Sequence, residues 1–263
     1  MNQICPVCED YKTVKKYGQN SALTLYECQD CLFAFQDRKI YVSPYNSIDY
    51  YDPKKQPRET YPLKPDKTDL DRIMTLQKVL TNGKILEVGG GLGRTSIMAY
   101  LKGFDVTVTE ESKLAVNNGE KFHPQLNWIQ TSIIPDHLKD KSFDVLMMFH
   151  VLEHIPALKP FLFEAIKVLK DKSYFIVEVP NWMSLVRRFK KMRWQYVVDH
   201  HPNQFSKKAL LKLFHIYGFK PVLIEYRRTF AINEKHSLKE SFKKILSMLG
   251  FANVIRITFK KAC

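Results

Sequence analysis

The sequence predicts an α/β fold, a parallel sheet covered by helices on both faces, preceded by a small cysteine-bearing ribbon. Three observations predict it. From about residue 67, short apolar strand-like runs alternate with amphipathic helix-like runs. A glycine-rich loop, Gly89-Gly90-Gly91-Leu92-Gly93, leaves the first of those strands and opens a helix. Ahead of them stand two Cys-x-x-Cys pairs, Cys5/Cys8 and Cys28/Cys31.

The ribbon comes first in the chain. A Cys-x-x-Cys turn sets two sulfurs on one tight loop. Two such turns facing each other across a hairpin complete the tetrahedral four-thiolate site that suits Zn²⁺. Residues 13–17 and 23–27 alternate as the strands of that hairpin would. A ribbon of residues 1–40 buries too little apolar surface to fold on a core alone, so the metal is expected to supply folding energy. Four thiolates leave no open coordination position, so the zinc is expected to be structural. The N-terminus shows neither a basic n-region nor an apolar h-region, and no apolar run reaches the roughly 18–20 residues that cross a bilayer. The expected location is cytoplasmic, where paired cysteines are metal ligands rather than disulfides. Residues 41–66, rich in Tyr and Pro, read as a linker or an ordered wrap, which leaves 67–263 for the α/β domain.

In that domain the spacing predicts helices over 69–80, 94–102, 112–121, 156–170 and 206–217, the last with Ser206 as N-cap. Strands are predicted over 84–88, 104–109, 126–130, 143–149, 173–179, 221–226 and 254–259. Glu110 ends the second strand, nineteen residues after Gly91. A glycine loop between strand and helix, with an acid closing the next strand, is the layout of a nucleoside-binding βαβ unit. The glycines let backbone pass close to a ligand, and the acid can bind ribose hydroxyls.

The loop also has an acid, Glu87, two residues before its first glycine. This Glu-x-Gly-x-Gly-x-Gly run resembles motif I of the class I S-adenosylmethionine-dependent methyltransferases. The segment from Phe143 to His154 looks like that family's fourth-strand segment, which ends His-Val-Leu-Glu-His as residues 150–154 do here. Gly218-Phe219 after a helix, a sixth strand and a final strand fit as well, so the resemblance covers 67–263. The ribbon and Tyr-rich linker are similar to the N-terminal region of one methyltransferase subfamily. The resemblance implies a seven-stranded Rossmann-like methyltransferase sheet that binds S-adenosylmethionine. By that likeness Gly89, Gly91 and Gly93 wrap the amino-acid end of the cofactor, Glu87 organises it, and Glu110 takes the ribose. Phe149 and His150, at the end of the fourth strand, belong to the expected cofactor set. Where the family usually has an acid for the adenine amine, this chain has Gln130-Thr131-Ser132-Ile133; Ser132 is expected to make that contact instead, with Thr131 or the backbone as helpers.

His150, Glu153 and His154 follow the fourth strand at the carboxyl edge, where ligands bind in open α/β sheets. They read as a substrate-facing base or cofactor-shaping group, as metal ligands, or as a hydrogen-bonded polar cap. Residues 180–205 interleave basic and aromatic side chains. In the resembled subfamily this stretch caps the substrate pocket and carries a His-x-x-His-Phe-Ser-like signature. Here His201 matches the first histidine, Gln204 replaces the second, and Phe205-Ser206 are retained. His201 is the leading candidate for a general base, against the reading that it only ties the segment down.

The formal charge of +14 points to a polyanion, an anionic membrane surface or an acidic substrate; a Lys-rich background explains it equally. The run Arg187–Arg193 reads as a solvated helix face, a phosphate site or an RNA contact. The basic amphipathic stretch 235–249 fits peripheral membrane contact or a docked helix. The expected function is methyl transfer to a small molecule, a sugar or glycan precursor, by in-line displacement with a histidine taking the acceptor's proton. An RNA methyltransferase is the alternative, favoured by ribbon and charge but lacking an Asn-Pro-Pro-Tyr-type motif. A non-catalytic cofactor-binding module is the third reading. Carbon, oxygen and nitrogen acceptors stay open at this point, as does the oligomeric state.

Overall fold

The computed structural model describes residues 3–21, 23–37, 66–140, 142–227 and 250–262. The linker up to residue 65, the stretch 235–249 and Cys263 lie outside the described residues. The chain forms two compact units interleaved in sequence. One holds residues 1–42, 150–162 and 177–262, the other 43–149 and 163–176.

The second of these opens with α1 (Lys67–Gln77), which starts on a capping box. The Asp66 carboxylate accepts from the Thr68 and Asp69 N–H groups, and Asp69 accepts from the N–H of Asp66. Then come β4 (Lys84–Val88), α2 (Arg94–Leu101), β5 (Asp105–Glu110), α3 (Lys113–Phe122), β6 (Asn127–Gln130) and β7 (Phe143–Phe149). β4 pairs in parallel with β5 and with β7, and β5 with β6. β4 and β7 are buried on both faces, which is why they read as apolar runs rather than alternating ones. Ile85, Val106, Val108, Val145 and Met147 form the core with Ile97, Phe104 and Trp128. Ser112 caps α3, its hydroxyl accepting from the Ala115 N–H.

After α4 (Leu158–Ala165) the chain enters β8 (Leu169–Pro180) and passes from one unit to the other within it. The helix expected over 156–170 is shorter because Leu169 is already extended and fully buried. The polar run after it resembled a helix end and hid the start of the strand.

The first unit contains β1 (Val14–Gln19), β2 (Thr24–Cys28), β3 (Ala34–Gln36), α5 (Leu185–Lys190), β9 (Asn203–Gln204), α6 (Lys207–His215), β10 (Phe219–Arg227) and β11 (Val254–Lys261). Ser206 caps α6 as expected, accepting from the Ala209 N–H. The expected ribbon hairpin is β1–β2. It grows into a four-stranded antiparallel sheet, β1-β2-β3-β9. The larger sheet has the expected seven strands, in the order β10-β11-β8-β7-β4-β5-β6. It is mixed rather than wholly parallel, because β10 and β11 pair antiparallel.

Candidate active site and candidate metal centre

In the α/β unit, the loop after β4 and the carboxyl end of β5 are brought together by the parallel register of the two strands, Val88 opposite Thr109. Gly89 and Gly90 donate their N–H groups to the Thr109 carbonyl at 2.8 and 3.2 Å. Gly91 and Gly93 lie in the left-handed region, φ 57° and 80°, which glycine adopts without penalty. A Cβ on Gly90 would stand 2.4 Å from Val108 Cγ1, so the backbone closeness is specific to glycine there as well. Glu110 accepts from the Gly91 N–H through Oε2 and from the Ser112 N–H through Oε1, both at 2.9 Å. Burial raises its carboxyl, and those two donors oppose the rise.

Glu87 is buried beneath the loop and accepts a short hydrogen bond from the Ser96 hydroxyl. Burial lifts its carboxyl to about 7. Phe149, buried at the end of β7, carries the Arg72 guanidinium over its ring at 4.5 Å. Ser132 is exposed in the loop after β6, where the Thr131 N–H donates to the Glu110 carbonyl at 2.8 Å. A cradle of closely approached backbone with an acid on either side fits the amino-acid end and ribose of S-adenosylmethionine.

The other unit gathers the remaining candidates. His150 has a left-handed backbone, φ 58°, an uncommon conformation for a non-glycine residue and one that the surroundings must hold. Its N–H donates to the Glu178 carbonyl at 2.9 Å. Its ring stands between two carboxylates: Nδ1 is 3.1 Å from Glu153 Oε1, and Nε2 is 3.5 Å from Glu178 Oε1. Glu153 and His154 sit on a 3-10 turn, Leu152–His154, and His201 reaches them from the 180–205 segment. The His154 and His201 rings meet edge-on, 4.4 Å between centroids. His154 Nδ1 bonds the His200 carbonyl at 2.9 Å, and His201 Nδ1 bonds the Tyr196 carbonyl at 3.0 Å. A carbonyl only accepts, so both imidazoles carry their proton on Nδ1 and the lone pair on Nε2. Burial lowers His154 and brings His201 down to about 4. For Glu153 burial pushes upward, but the hydrogen bond from His150 and the surrounding imidazoles outweigh it and hold the carboxyl low.

Tyr196 and His200 stand out in the sequence only as members of the basic and aromatic 180–205 segment, and Glu178 is not singled out at all. Glu178 was legible in principle, as a lone acid in the apolar run Phe-Ile-Val-Glu-Val. It is fully buried with Arg256, whose Nε donates to it at 2.8 Å.

The four N-terminal cysteines converge. Their sulfurs all lie within 4.8 Å of one another, with Cys5–Cys31 at 3.7 Å and Cys8–Cys28 at 3.9 Å. A tetrahedral ion with Zn–S bonds of about 2.3 Å requires sulfur separations of about 3.8 Å, so the donor set fits Zn²⁺. Burial pushes the Cys8 thiol up to about 12; a cation is what would let such a group ionise.

The ribbon is also fastened to the 180–205 segment. Trp182 Nε1 donates to Glu27 at 2.6 Å, and Gln36 Nε2 donates to the carbonyls of Val198 and His201 at 2.6 and 3.0 Å. Ser206 Oγ donates to the Cys31 carbonyl at 2.6 Å. Arg187 is buried, stacked on Trp182 and bonded to the Tyr17 hydroxyl. The first residue of the expected basic surface is therefore structural, while Arg188, Lys190, Lys191 and Arg193 are exposed.

A family model described as a methyltransferase domain matches residues 66–224. The chain belongs to this family. The ubiquinone biosynthesis O-methyltransferase of Rickettsia prowazekii (strain Madrid E) is 24% identical over 153 residues, 56% of this chain and 60% of that one. The protein of the same name from Pelagibacter ubique (strain HTCC1062) is 30% identical over 150 residues, 53% of this chain and 62% of its own length. The matches thus span about three fifths of these curated relatives. Among solved structures, a SAM-dependent methyltransferase from Archaeoglobus fulgidus superposes with a TM-score of 0.58 at 20% identity, covering 78% of this chain and 97% of that one. The seven-stranded sheet is accordingly the Rossmann-like fold of the class I S-adenosylmethionine-dependent methyltransferases.

Proposed function

We propose that this methyltransferase-family protein transfers the methyl group of S-adenosylmethionine to a hydroxyl of a small molecule, a sugar or glycan precursor. The observation that carries the reading is the cradle of Glu87, the Gly89–Gly93 loop and Glu110. The names of the curated relatives, O-methyltransferases, favour oxygen among the acceptor atoms. When bound, S-adenosylmethionine supplies a methyl group already activated on a sulfonium. The chain's own residues must hold the donor, orient the acceptor in line with it and keep water out.

In this reading Glu87 neutralises the donor's ammonium, Glu110 binds the ribose hydroxyls, and Gly89, Gly91 and Gly93 offer backbone to the carboxylate end. Phe149, His150 and Ser132 complete the cofactor contacts, Ser132 at the adenine. His150, Glu153, His154 and His201 receive the acceptor's proton. His154 and His201 are suited to hydrogen-bond a hydroxyl because they are neutral at pH 7 and present Nε2. Cys5, Cys8, Cys28 and Cys31 hold a structural Zn²⁺. No described helix is long and apolar enough to cross a membrane, and we place the reaction in the cytoplasm. The RNA alternative is weakened by the burial of Arg187 within the basic run.

Two measurements test the proposal. Calorimetry with S-adenosylhomocysteine should show binding that Glu110→Ala weakens at least tenfold, since both ribose and loop contacts lose their acceptor. Labelled S-adenosylmethionine incubated with fractionated cell extract should mark the small-molecule fraction; label confined to RNA would overturn the acceptor class.

A further inference from the structure

The groups around Glu153 combine in a way that proton transfer does not require. Glu153, His154 and His201 each place one ligand-capable atom within 4.8 Å of the other two. All three side chains are buried. Glu153 Oε1 is taken by His150, but Oε2 is buried with no hydrogen-bond partner among the described residues. A buried carboxylate oxygen left unsatisfied is costly and rare, and an ion is one of the few things that resolve it.

The two imidazoles are prepared in the same sense. Each donates Nδ1–H to a backbone carbonyl, His154 to His200 and His201 to Tyr196. That is the outer-shell hydrogen bond that fixes the tautomer and aim of a metal-bound histidine, leaving Nε2 as the ligating atom. His150 is diverted to the carboxylates of Glu153 and Glu178 and so falls outside the ligand group, although sequence spacing had put it there in place of His201.

We infer that Glu153, His154 and His201 bind a divalent transition-metal ion. Two imidazole nitrogens and one carboxylate oxygen select the zinc, cobalt, nickel and ferrous class over magnesium or calcium, which take all-oxygen shells. One carboxylate and two neutral rings leave part of the dication's charge uncompensated, and three protein ligands leave a coordination position open. Such a site is of the kind that activates a bound oxygen ligand rather than the closed kind that only supports a fold. This site is distinct from the four-thiolate centre. The inference rests on neither S-adenosylmethionine binding nor the acceptor proposed above, and metal binding at Nε2 would replace the direct proton acceptance by His154 and His201 stated there.

The test uses the whole chain with its thiolate centre first saturated with Zn²⁺ and excess metal removed. Co²⁺ is then titrated by calorimetry and visible absorption. The expected result is one further Co²⁺ per chain, with ligand-field bands but without the intense charge-transfer absorption of cysteine-bound cobalt. Glu153→Gln and His201→Asn should each weaken this uptake at least 100-fold while thermal melting shows a folded protein. No uptake beyond the thiolate centre, or uptake unchanged in both variants, overturns the inference. If either variant fails to fold, pulsed EPR of the wild-type protein loaded with Cu²⁺ decides: two coordinated imidazole nitrogens support the site, and their absence rejects it. Metal uptake is read without any methyl transfer, so failure of the methyltransferase reading and failure of this one are separate results.

Discussion

Glu87→Gln should make the protein more stable at pH 8 and less able to bind its cofactor. Burial holds the folded carboxyl at about 7 against 4.5 for an ordinary glutamate. A group whose folded value is raised favours the folded state most below its unfolded value. That contribution is lost as pH rises from about 4.5 through about 7. The difference of about 2.5 units is worth about 3 kcal/mol at 1.36 kcal/mol per unit. Glutamine never ionises, and its carbonyl still accepts from the Ser96 hydroxyl. It brings two N–H donors into a buried site, at a cost of about 1 kcal/mol. The variant should therefore gain about 2 kcal/mol at pH 8, a rise in melting temperature of about 4–8 °C. At pH 4 it should be about 1 kcal/mol less stable than wild type. Affinity for S-adenosylmethionine should fall about 10- to 100-fold with the loss of one charge-assisted hydrogen bond to the ammonium. Paired melting curves from pH 4 to pH 8 and calorimetry check both halves. A variant less stable than wild type at pH 8, with the same slope against pH, would refute the argument that burial of this charge dominates the site.

Gly90→Ala should cost about 1–3 kcal/mol in chemical denaturation, because the added methyl meets the side chain of Val108, fully buried in β5; an unchanged midpoint would show that β5 yields. Stripping zinc with a chelator should release the β1–β3 ribbon and shift tryptophan emission to the red, since Trp182 and Trp194 are buried in one cluster with Leu25 and Ala34; emission that stays blue would show the cluster holds without metal.

The α/β half of the chain was legible because its signals are local. An apolar strand, a glycine loop and an acid closing the next strand are fixed by short-range spacing, and β4 and β7 have the predicted limits. Ser206 announced its helix through capping chemistry. What the sequence hid was long-range pairing. Nothing in the dipeptide Asn203-Gln204 shows that it becomes a fourth strand beside Ala34 and Phe35. Nor does His200 advertise that its carbonyl will fix the tautomer of a histidine forty-six residues away. Glu178, an acid in an apolar core strand, has its partner in Arg256, seventy-eight residues away.

The same long-range pairing gives the ribbon a role beyond its own stability. β3 and β9 form one sheet, and Gln36 at the end of β3 holds the carbonyls of Val198 and His201. His201 is therefore bracketed by the ribbon on one side and by Tyr196 on the other. The 180–205 segment has one short α-helix, one 3-10 turn and a two-residue strand, too little regular structure to fix a side chain by itself. Its tryptophans find their cover on β2 and β3, and its indole proton finds Glu27. In the proposed function the four cysteines hold a structural Zn²⁺, and these contacts would carry its effect to His201: the ion would close the ribbon, the ribbon closes the sheet, and Gln36 on that sheet holds the backbone of His201. A zinc site with no open position would then act on chemistry it never touches.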